Sequence, residues 1–306
     1  MKLSVIICTH NPREDYLRRV LDALEAQTLS HDQWEVLLID NASREPLAKT
    51  WHLSKLPNAR HVREETLGLT PARLRGIREA AGDVLVFVDD DNVLRPDFLA
   101  ECLEIERDWP LLGAWGGRQL AEYEHQPPRE AWKRRLFDKK FVRDVWSNNY
   151  DRNTTPIGAG VCIRRGVAEQ YARLAQSDPV RLDLDRRGTA LNSGGDIDMA
   201  YVACDMGLGL GIFCRLELVH LIPSARMEDA YVYRLAEGYG HANTILDSLR
   251  GKTPPYRPVS DWIANFFRRF RFPREEWNYK AAHDAGRQRA IRELRSGERP
   301  GRPSAS

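Results

Sequence analysis

The sequence predicts an α/β fold in which helices flank a mostly parallel central sheet, followed by a helical C-terminal extension. In the N-terminal third, short apolar β-branched runs alternate with longer segments whose apolar residues recur at helical spacing. Such alternation is typical of strand–helix–strand units, which wind right-handed into parallel sheets. The chain has 306 residues, of which 42% are hydrophobic and 29% are charged, enough for one large packed domain with an appendage.

Three short apolar runs in the N-terminal third predict strands, and polar residues follow the end of each run. The runs are Leu3–Cys8, Trp34–Ile39 and Val84–Val88, and a further short strand is predicted near Arg60–Arg63. Apolar residues at helical spacing predict helices between these strands. The helices lie at about Arg13–Gln27, near Pro46–Leu53, and from Thr70, where Thr-Pro is a typical helix start, to Gly82.

Beyond the fourth strand the pattern changes several times. The predicted elements are a helix over Pro96–Glu106, a strand or turn over Gly113–Gln119, a helix over Met199–Met206 and a strand over Gly211–Leu218. Between Tyr123 and Asn153, prolines, charges and scattered aromatic residues predict a long, partly mobile segment. We therefore expect one domain over residues 1–225, a helical extension over 226–295 and a disordered tail over 296–306.

Charge and cysteine content restrict the classes of partner. The formal net charge of +2 does not indicate a nucleic-acid binder. The five cysteines are odd in number and contain no Cys-x-x-Cys pair, which favours reduced thiols over disulfides or zinc. The N-terminal apolar run is too short for a signal peptide, and no stretch reaches the about 18 apolar residues of a spanning helix. A cytoplasmic location is the expectation.

Three consecutive aspartates, Asp89 to Asp91, follow the fourth predicted strand. Crowded carboxylates repel one another unless a cation neutralises them, and a hard divalent ion that holds phosphate oxygens is the natural partner. The carboxyl ends of parallel strands are also where open α/β sheets place their ligands. The pattern therefore predicts a metal–phosphate site, with an acidic turn that caps the following helix as the plainer alternative.

Polar residues follow the other predicted strands too. Thr9 and Asn11 follow the first strand, Asp40 follows the second, and Arg73 lies near the start of a helix that precedes the fourth. A parallel sheet brings such strand ends to one edge. Asp40 taken alone is as easily explained by a structural role, so the co-occurrence of these residues is what favours a binding site.

These motifs together resemble glycosyltransferase family 2, whose members have the GT-A fold, a Rossmann-like α/β architecture. The resemblance is dense over the N-terminal third and continues to about Arg226. It rests on the runs Val5–Asn11, Leu38–Ser43, Gly68 to Ile77 and Phe87–Asp91. It implies a nucleotide-sugar half over residues 1–105 and an acceptor half over residues 106–225.

The resemblance also implies roles for the polar residues at the sheet edge. The residue matching Asp40 binds the nucleotide base, and the residue matching Asp89 reaches the ribose. The residue matching Asp91 ligates Mn²⁺ or Mg²⁺ on the diphosphate. The further contacts with the donor that we expect are those of Thr9, Asn11, Arg73 and Asp90.

Two residues further along complete the predicted site. His220 follows an apolar run, where a lone histidine is more often structural, but the resemblance implies that it is a metal ligand. The segment Gly194–Asp198 resembles the Gly-Glu-Asp-x-Asp segment of the family, which makes Asp196 the general base. Gly195 stands where the family has glutamate. The alternative role of Asp196 is to cap the following helix, and both roles are compatible.

A segment near the C-terminus, residues 261–274, combines an apolar stripe with arginines. The stripe consists of Trp262, Ile263, Phe266, Phe267 and Phe270. A basic amphipathic helix can lie on an anionic membrane, and it can equally dock on its own domain. A peripheral membrane contact through this segment would suit a lipid-linked acceptor.

Together, the residues and the resemblance predict an inverting, metal-dependent glycosyltransferase that uses Mn²⁺ or Mg²⁺ and a nucleotide-sugar donor, with a UDP-sugar favoured. The expected acceptor is a sugar or lipid-linked sugar in the synthesis of cell-surface polysaccharide or glycolipid. The expected location is the cytoplasm, including the inner face of the membrane.

Two alternatives stay open. The first is a non-catalytic nucleotide-sugar-binding protein of the same fold, which the glycine at position 195 favours. The second is a haloacid-dehalogenase-like phosphatase, whose signature matches Asp89-x-Asp91-x-Val93. That class also needs a later Gly-Asp-x-x-x-Asp, and Ala200 stands where its second aspartate belongs.

Overall fold

A computed structural model describes residues 1–56, 58–186, 191–252, 255 and 258–296. The chain divides into two compact units. Unit 1 comprises Met1–Leu174 and Asp196–Ile222, and unit 2 comprises Ala175–Gly195 and Pro223–Ser306. The domains expected over residues 1–225 and 226–295 stay a prediction, since unit 2 also includes an internal segment.

Unit 1 is built on a mixed sheet with nine strands among the described residues. The strands are β1 (Leu3–Thr9), β2 (Trp34–Asn41), β3 (Ala59–Glu64), β4 (Val84–Asp89), β5 (Asn92–Leu94), β6 (Leu112–Tyr123), β7 (Val145–Ser147), β8 (Val161–Arg164) and β9 (Gly209–Ile222). Their order is β3-β2-β1-β4-β8-β6-β9-β5, and β7 pairs with β9.

The parallel ladders of this sheet contain most of the paired residues. β1 is parallel to β2 and β4, β2 is parallel to β3, and β6 is parallel to β9. β8 runs antiparallel to β4 and β6, and β5 and β7 run antiparallel to β9. The predicted α/β class with a mostly parallel sheet is confirmed.

Helices flank the sheet and make up most of unit 2. In the described part of the chain they are α1 (Glu14–Glu25), α2 (Leu69–Glu79), α3 (Phe98–Asp108), α4 (Ala131–Phe137), α5 (Arg165–Ser177), α6 (Pro179–Leu182), α7 (Gly195–Asp205), α8 (Asp229–Ser248), α9 (Pro258–Arg271) and α10 (Arg274–Ser296). The predicted helical C-terminal region is thus present as α8, α9 and α10. Within the described residues, no helix is both long enough and apolar enough to cross a membrane.

The apolar runs of the strands form the core of unit 1. β1, β2 and β4 are buried along almost their whole length, as expected for central strands of a parallel sheet. α1 buries the stripe that its sequence spacing predicts, which is Leu17, Val20, Leu21 and Leu24. The largest side chains buried in this core include Trp34, Trp115, Phe98 and Phe213.

In unit 2, α8 and α10 pack along each other through apolar and charged contacts. Ile291 of α10 is fully buried. His241 of α8 is also buried, and its Nε2 lies 2.7 Å from Glu293 Oε2. Arg289 forms an ion pair with Glu237. The His241–Glu293 contact satisfies buried polar atoms that would otherwise oppose the packing of the two helices, whereas the Arg289–Glu237 pair is exposed.

One predicted helix is wrong. Only a single 3₁₀ turn, Leu47–Lys49, forms in the segment near Pro46–Leu53. The carbonyl of Trp51 lies 3.0 Å from Nε2 of His61 on β3 instead of continuing a helix. The Trp51 carbonyl thus contacts a side chain of a neighbouring strand, whereas in a helix it would accept from the N–H four residues later.

The segment Tyr123–Asn153 contains regular structure that its sequence pattern does not show, namely α4 and β7. Reciprocal backbone hydrogen bonds of 3.2 and 2.8 Å join Gln119 of β6 to Lys139. Phe137 at the end of α4 is buried. Long-range contacts of this kind leave no periodic trace in the sequence.

β9 is longer than predicted and runs over Gly209–Ile222. It continues because residues 118–123 of β6 pair beside it. His220 therefore lies within the strand rather than after its end. Of the tail that is predicted to be disordered, Ser296 ends α10 and the rest lies outside the described residues.

Gly117 of β6 lies so close to β9 that it cannot accept a side chain. A Cβ atom there would lie 1.8 Å from the backbone oxygen of Leu216. We expect Gly117→Ala to lower the free energy of unfolding by about 2–3 kcal/mol or more, because the strands must separate. Urea-induced unfolding measures this difference.

The matched control is Gly166→Ala in α5, because no atom lies within 4 Å of the added Cβ. Alanine has the higher helix propensity, so this variant should gain at most about 1 kcal/mol. Equal stability of the two variants would contradict the close approach of β6 and β9.

Candidate active site

The carboxyl ends of neighbouring parallel strands bring polar side chains to one edge of the sheet. Thr9 at the end of β1 pairs with Asp40 at the end of β2, and Cys8 pairs with Asp89 at the end of β4. Thr9 Oγ1 donates a hydrogen bond to Asp90 Oδ2. The structure therefore brings these predicted site residues together, while their roles toward a donor stay a prediction.

Asn11 connects the loops that follow β1 and β2. Its backbone lies in the left-handed region with a φ of 48°. Its N–H donates to Ser43 Oγ at 2.9 Å, and its Oδ1 accepts from the Arg44 N–H at 2.9 Å. His10 Nδ1 lies 2.7 Å from the backbone oxygen of Asn41. Asn11 thus orders the rim of the sheet edge.

Asp40 is buried and accepts three hydrogen bonds from this part of the chain. Its Oδ1 accepts from the Ser43 N–H at 3.1 Å. Its Oδ2 accepts from the Leu47 N–H at 3.0 Å and from Arg63 Nη1 at 2.8 Å. Burial disfavours the ionised carboxylate, but these bonds outweigh it, so the pKa of Asp40 lies below its ordinary value of 3.8.

The last aspartate of the triplet, Asp91, is buried at the junction between β4 and β9. Its Oδ1 accepts a hydrogen bond of 2.9 Å from Asn92 Nδ2, and its backbone oxygen accepts one of 2.9 Å from the Leu221 N–H. Asn92 of β5 pairs with His220 of β9. This register brings His220 Nε2 to 3.7 Å from Asp91 Oδ2. The two predicted metal ligands are therefore neighbours.

The Asp91–His220 pair fits a divalent cation. One ion with bonds of about 2.1 Å can join donor atoms up to about 4.2 Å apart, which is more than the 3.7 Å seen here. Among the described residues, no group of three or more His, Cys, Asp or Glu side chains is arranged to hold a metal. A cation at this pair would therefore complete its coordination with phosphate oxygens and water, as Mg²⁺ commonly does.

Asp196, the predicted base, lies at the start of α7 and is buried. Its Oδ2 accepts a hydrogen bond of 2.6 Å from the Gly158 N–H, and its Oδ1 accepts one of 2.9 Å from the Ile197 N–H. A Cβ atom on Gly158 would lie 3.0 Å from Asp196 Oδ2 and 3.1 Å from Arg73 Nη2. Gly158 therefore lets its backbone approach both side chains, and a buried arginine lies beside the carboxylate.

The glycine at position 195 has a steric cause within unit 2. The buried Asp185 carboxylate lies against it, and its Oδ1 accepts a hydrogen bond of 3.0 Å from the Gly195 N–H. A Cβ atom on Gly195 would lie 2.2 Å from Asp185 Oδ2. The glutamate that the family has at this position could not fit here while Asp185 keeps its place.

A stacked pair of side chains, Arg13 and Tyr16, lies at the start of α1. Arg13 stacks over the ring of Tyr16 at 3.9 Å and forms an ion pair of 2.9 Å with Glu124. Burial raises the pKa of the Tyr16 phenol, and the negative charges of Glu124 and Asp91 raise it further against the opposing charge of Arg13. Tyr16 of α1 thus lies close enough to Asp91 to be affected by its charge, whereas Arg13 pairs with Asp15 and Glu124.

A family model described as "Glycosyl transferase family 2" matches residues 4–171, which is more than half of the chain. The chain belongs to glycosyltransferase family 2. Curated relatives include the putative glycosyltransferase EpsH of Bacillus subtilis, which is 25% identical over 167 residues. The dolichol-phosphate mannosyltransferase of Pyrococcus furiosus is 33% identical over 112 residues.

These curated relatives are matched over a limited length. The alignment covers 49% of this chain and 47% of EpsH, and 34% of this chain and 30% of the archaeal mannosyltransferase. The chain therefore spans less than half the length of these relatives. Family 2 membership is established by the family model, whereas the activity of the whole protein is a matter for proposal.

Solved structures share the fold. The mannosyltransferase PcManGT of Pyrobaculum calidifontis, in complex with GDP-Man and Mn²⁺, has a TM-score of 0.55 at 21% identity and covers 93% of this chain and 73% of its own. A fragment of S. aureus TarS in complex with UDP has a TM-score of 0.52 at 15% identity and covers 97% and 92%. With the family match, these similarities confirm the predicted GT-A class.

Sequence reasoning missed several residues of this family 2 site. Asn92, which bonds to Asp91, could have been found as the polar residue directly after the triplet. Arg63 and Asp185 could not, because each is far in sequence from the residue that it contacts. The Gly158-Ala159-Gly160 run is not among the missed residues, since its small side chains alone predict a close backbone approach.

The depressed pKa of Asp40 predicts a pH-dependent contribution to stability. A carboxylate with a lowered folded-state pKa stabilises the fold above its unfolded pKa, and this contribution is lost as pH falls through the folded pKa. We expect Asp40→Asn to lower the free energy of unfolding at neutral pH by about 1–3 kcal/mol. The stability deficit of Asp40→Asn relative to the wild type should shrink as the pH falls below 3.8, the ordinary pKa of Asp.

Urea-induced unfolding at several pH values tests this expectation. Asp22→Asn, on the exposed face of α1, is the matched control and should stay near the wild type throughout. A deficit of Asp40→Asn that stays constant down to acidic pH would mean that the ionised carboxylate is not what stabilises the fold.

Proposed function

We propose that this member of family 2 is an enzyme that transfers a sugar from a nucleotide-sugar to an acceptor hydroxyl, with inversion at the anomeric carbon. One observation carries the proposal: unit 1 holds both a carboxylate–imidazole pair and a separate buried carboxylate. Asp91 faces His220, and Asp196 lies with Arg73 at Gly158. A cation held by the pair would stabilise the leaving diphosphate, and the carboxylate would act as the general base.

The donor would bind at the edge formed by β1, β2 and β4. Asp40 accepts hydrogen bonds from two backbone N–H groups and from Arg63 within the protein. It would contact the nucleotide base, while Asp89 would contact the ribose. Thr9, Asn11 and Asp90 would order the surrounding loops. Neighbours solved with UDP and with GDP-Man support a nucleoside diphosphate, and we favour a UDP-sugar.

Asp91 and His220 would hold Mn²⁺ or Mg²⁺ against the diphosphate. When bound, the cation neutralises the charge that develops on the diphosphate as the glycosidic bond breaks, without needing a proton. The oxygen of Asp91 suits either ion, and the nitrogen of His220 favours Mn²⁺. Arg73, whose guanidinium stays charged, would add positive charge near the donor.

Asp196 would act on the acceptor. As the acceptor oxygen attacks the anomeric carbon, Asp196 takes the hydroxyl proton, and the nucleoside diphosphate leaves with the electrons of the broken bond. Hydrogen bonds from Gly158 and Ile197 hold the carboxylate in place before the acceptor arrives. Such preorganisation lowers the cost of reaching the reactive geometry.

The acceptor class and the biological context belong to the same proposal. We expect a sugar or a lipid-linked sugar in the synthesis of cell-surface polysaccharide or glycolipid, at the cytoplasmic side of a membrane. The dolichol-phosphate mannosyltransferase among the relatives is named for a lipid phosphate, which supports an acceptor carried on a lipid. A family 2 match over more than half of the chain does not favour the phosphatase alternative.

Donor binding is tested by a thermal-shift screen of UDP, GDP and their sugars, with and without Mn²⁺. Binding to the native state raises the melting temperature by mass action. We expect a metal-dependent rise with one diphosphate, and the loss of most of that rise in Asp91→Ala. Asp108→Ala, an exposed aspartate at the end of α3, should respond like the wild type. No rise with any diphosphate at saturation would refute the proposed donor site.

The base assignment is tested by Asp196→Asn. The amide keeps the size of the side chain but cannot take a proton, so turnover should fall by about 10²-fold or more. Donor-induced thermal shifts should stay close to those of the wild type. Asp205→Asn, at the exposed other end of α7, is the control and should keep its rate.

The two readouts separate the alternatives. Wild-type turnover in Asp196→Asn would remove Asp196 as the base. Donor binding without turnover in the wild-type protein, across sugar acceptors, would favour the non-catalytic alternative.

A further inference from the structure

Helix α9 exposes an unusual number of large apolar side chains. Among the described residues, eleven large apolar side chains are exposed, and five of them lie on this one helix. They are Trp262 (68% exposed), Ile263 (45%), Phe266 (43%), Phe267 (65%) and Phe270 (72%). Single exposed apolar residues need no explanation, but a concentration of them on one element indicates an interaction surface.

The aromatic side chains form one continuous surface, which we call the α9 face. Phe266 lies at its centre, with ring centroids 6.0 Å from Trp262, 5.7 Å from Phe267 and 5.5 Å from Phe270. The helix is held by its other side, because Arg268 forms an ion pair with Asp284 of α10. The α9 face is thus presented by an anchored helix.

Positive charge accompanies this face. Between Pro258 and Arg274 the sequence contains four arginines and one acidic residue, Asp261, and two glutamates follow Arg274. One of the four, Arg268, is paired with Asp284 of α10. At the C-terminal end of the helix, the Arg271 guanidinium lies 5.9 Å from the ring of Phe272, and the Lys280 amine lies 4.5 Å from the same ring. Aromatic residues next to basic ones are typical of helices that lie in the interface of an anionic bilayer.

We infer that the α9 face binds the surface of an anionic lipid bilayer, with its aromatic side chains in the headgroup region and Arg271 at the lipid phosphates. The inference concerns unit 2 and does not depend on the proposed transfer reaction. Trp and Phe lower their free energy by entering the interface, and each arginine close to anionic lipid adds attraction.

Two other occupants suit the α9 face less well. A second copy would meet it face to face in a twofold dimer, which brings the arginines of both copies together. The last residues of the chain, 297–306, contain no large apolar side chain that could cover the face. Charge and composition therefore favour the bilayer.

Co-sedimentation of the full chain with lipid vesicles tests the inference. We expect binding to vesicles of phosphatidylcholine with phosphatidylglycerol, weaker binding at high salt, and little binding to phosphatidylcholine alone. Phe267→Glu combined with Phe270→Glu should weaken binding by at least about tenfold, because two apolar side chains no longer enter the interface. Leu111→Glu, at an exposed apolar residue of unit 1, is the matched control and should bind like the wild type.

The emission of Trp262 provides a second readout. Anionic vesicles should shift the tryptophan emission of the wild type to shorter wavelength, and Trp262→Phe should lose most of that shift. Circular dichroism and the melting temperature of each variant show whether it is folded.

Several outcomes would overturn the inference. They are the absence of binding to anionic vesicles, equal binding to neutral vesicles, and unchanged binding of the folded double variant. A dimer seen by light scattering that the double variant abolishes would assign the α9 face to a second copy instead.

Discussion

The proposed donor site depends on one constraint above all, which is the register of β1 against β2 and β4. Thr9 pairs with Asp40, and Cys8, which points to the other face of the sheet, pairs with Asp89. A slip of one residue would therefore exchange the faces on which these polar side chains lie. A buried hydrogen bond of 2.7 Å from Ser4 to Glu35, which are paired residues of β1 and β2, supplies a polar contact that a slip would break.

A second register, between β5 and β9, determines where His220 lies. β5 has only three residues, and its pairing places Asn92 opposite His220. β4 ends at Asp89 and β5 begins at Asn92, so Asp90 and Asp91 form the two-residue connection between the parallel strands and the antiparallel pair. The proposed donor contacts and the proposed metal ligands are therefore joined through this short connection. A displacement of β9 would separate Asp91 from His220 without disturbing β1 or β2.

The sequence predicts the strands of the N-terminal half and the polar residues at their ends, because its signals there are local. β1, β2 and β4 are short apolar runs with polar residues directly after them, and a parallel sheet brings those ends together. The second half depends on pairing between distant segments, so the length of β9, the presence of α4 and the position of His220 within a strand leave no local trace. The contact between Gly195 and Asp185 is missed for the same reason. No local pattern relates a glycine to an acid ten residues before it.

Backbone amides orient the carboxylates that are proposed to act in recognition and catalysis. Asp40 accepts two hydrogen bonds from the main chain, and so does Asp196. A main-chain donor cannot rotate away as a side chain can, so both groups are held before a substrate arrives, and Gly158 permits the closest of these approaches. Asp40 accepts a third bond from an arginine, whereas each oxygen of Asp196 accepts one backbone N–H and keeps acceptor capacity. The two carboxylates thus share one mode of orientation, and the difference in remaining capacity suits recognition at Asp40 and proton transfer at Asp196.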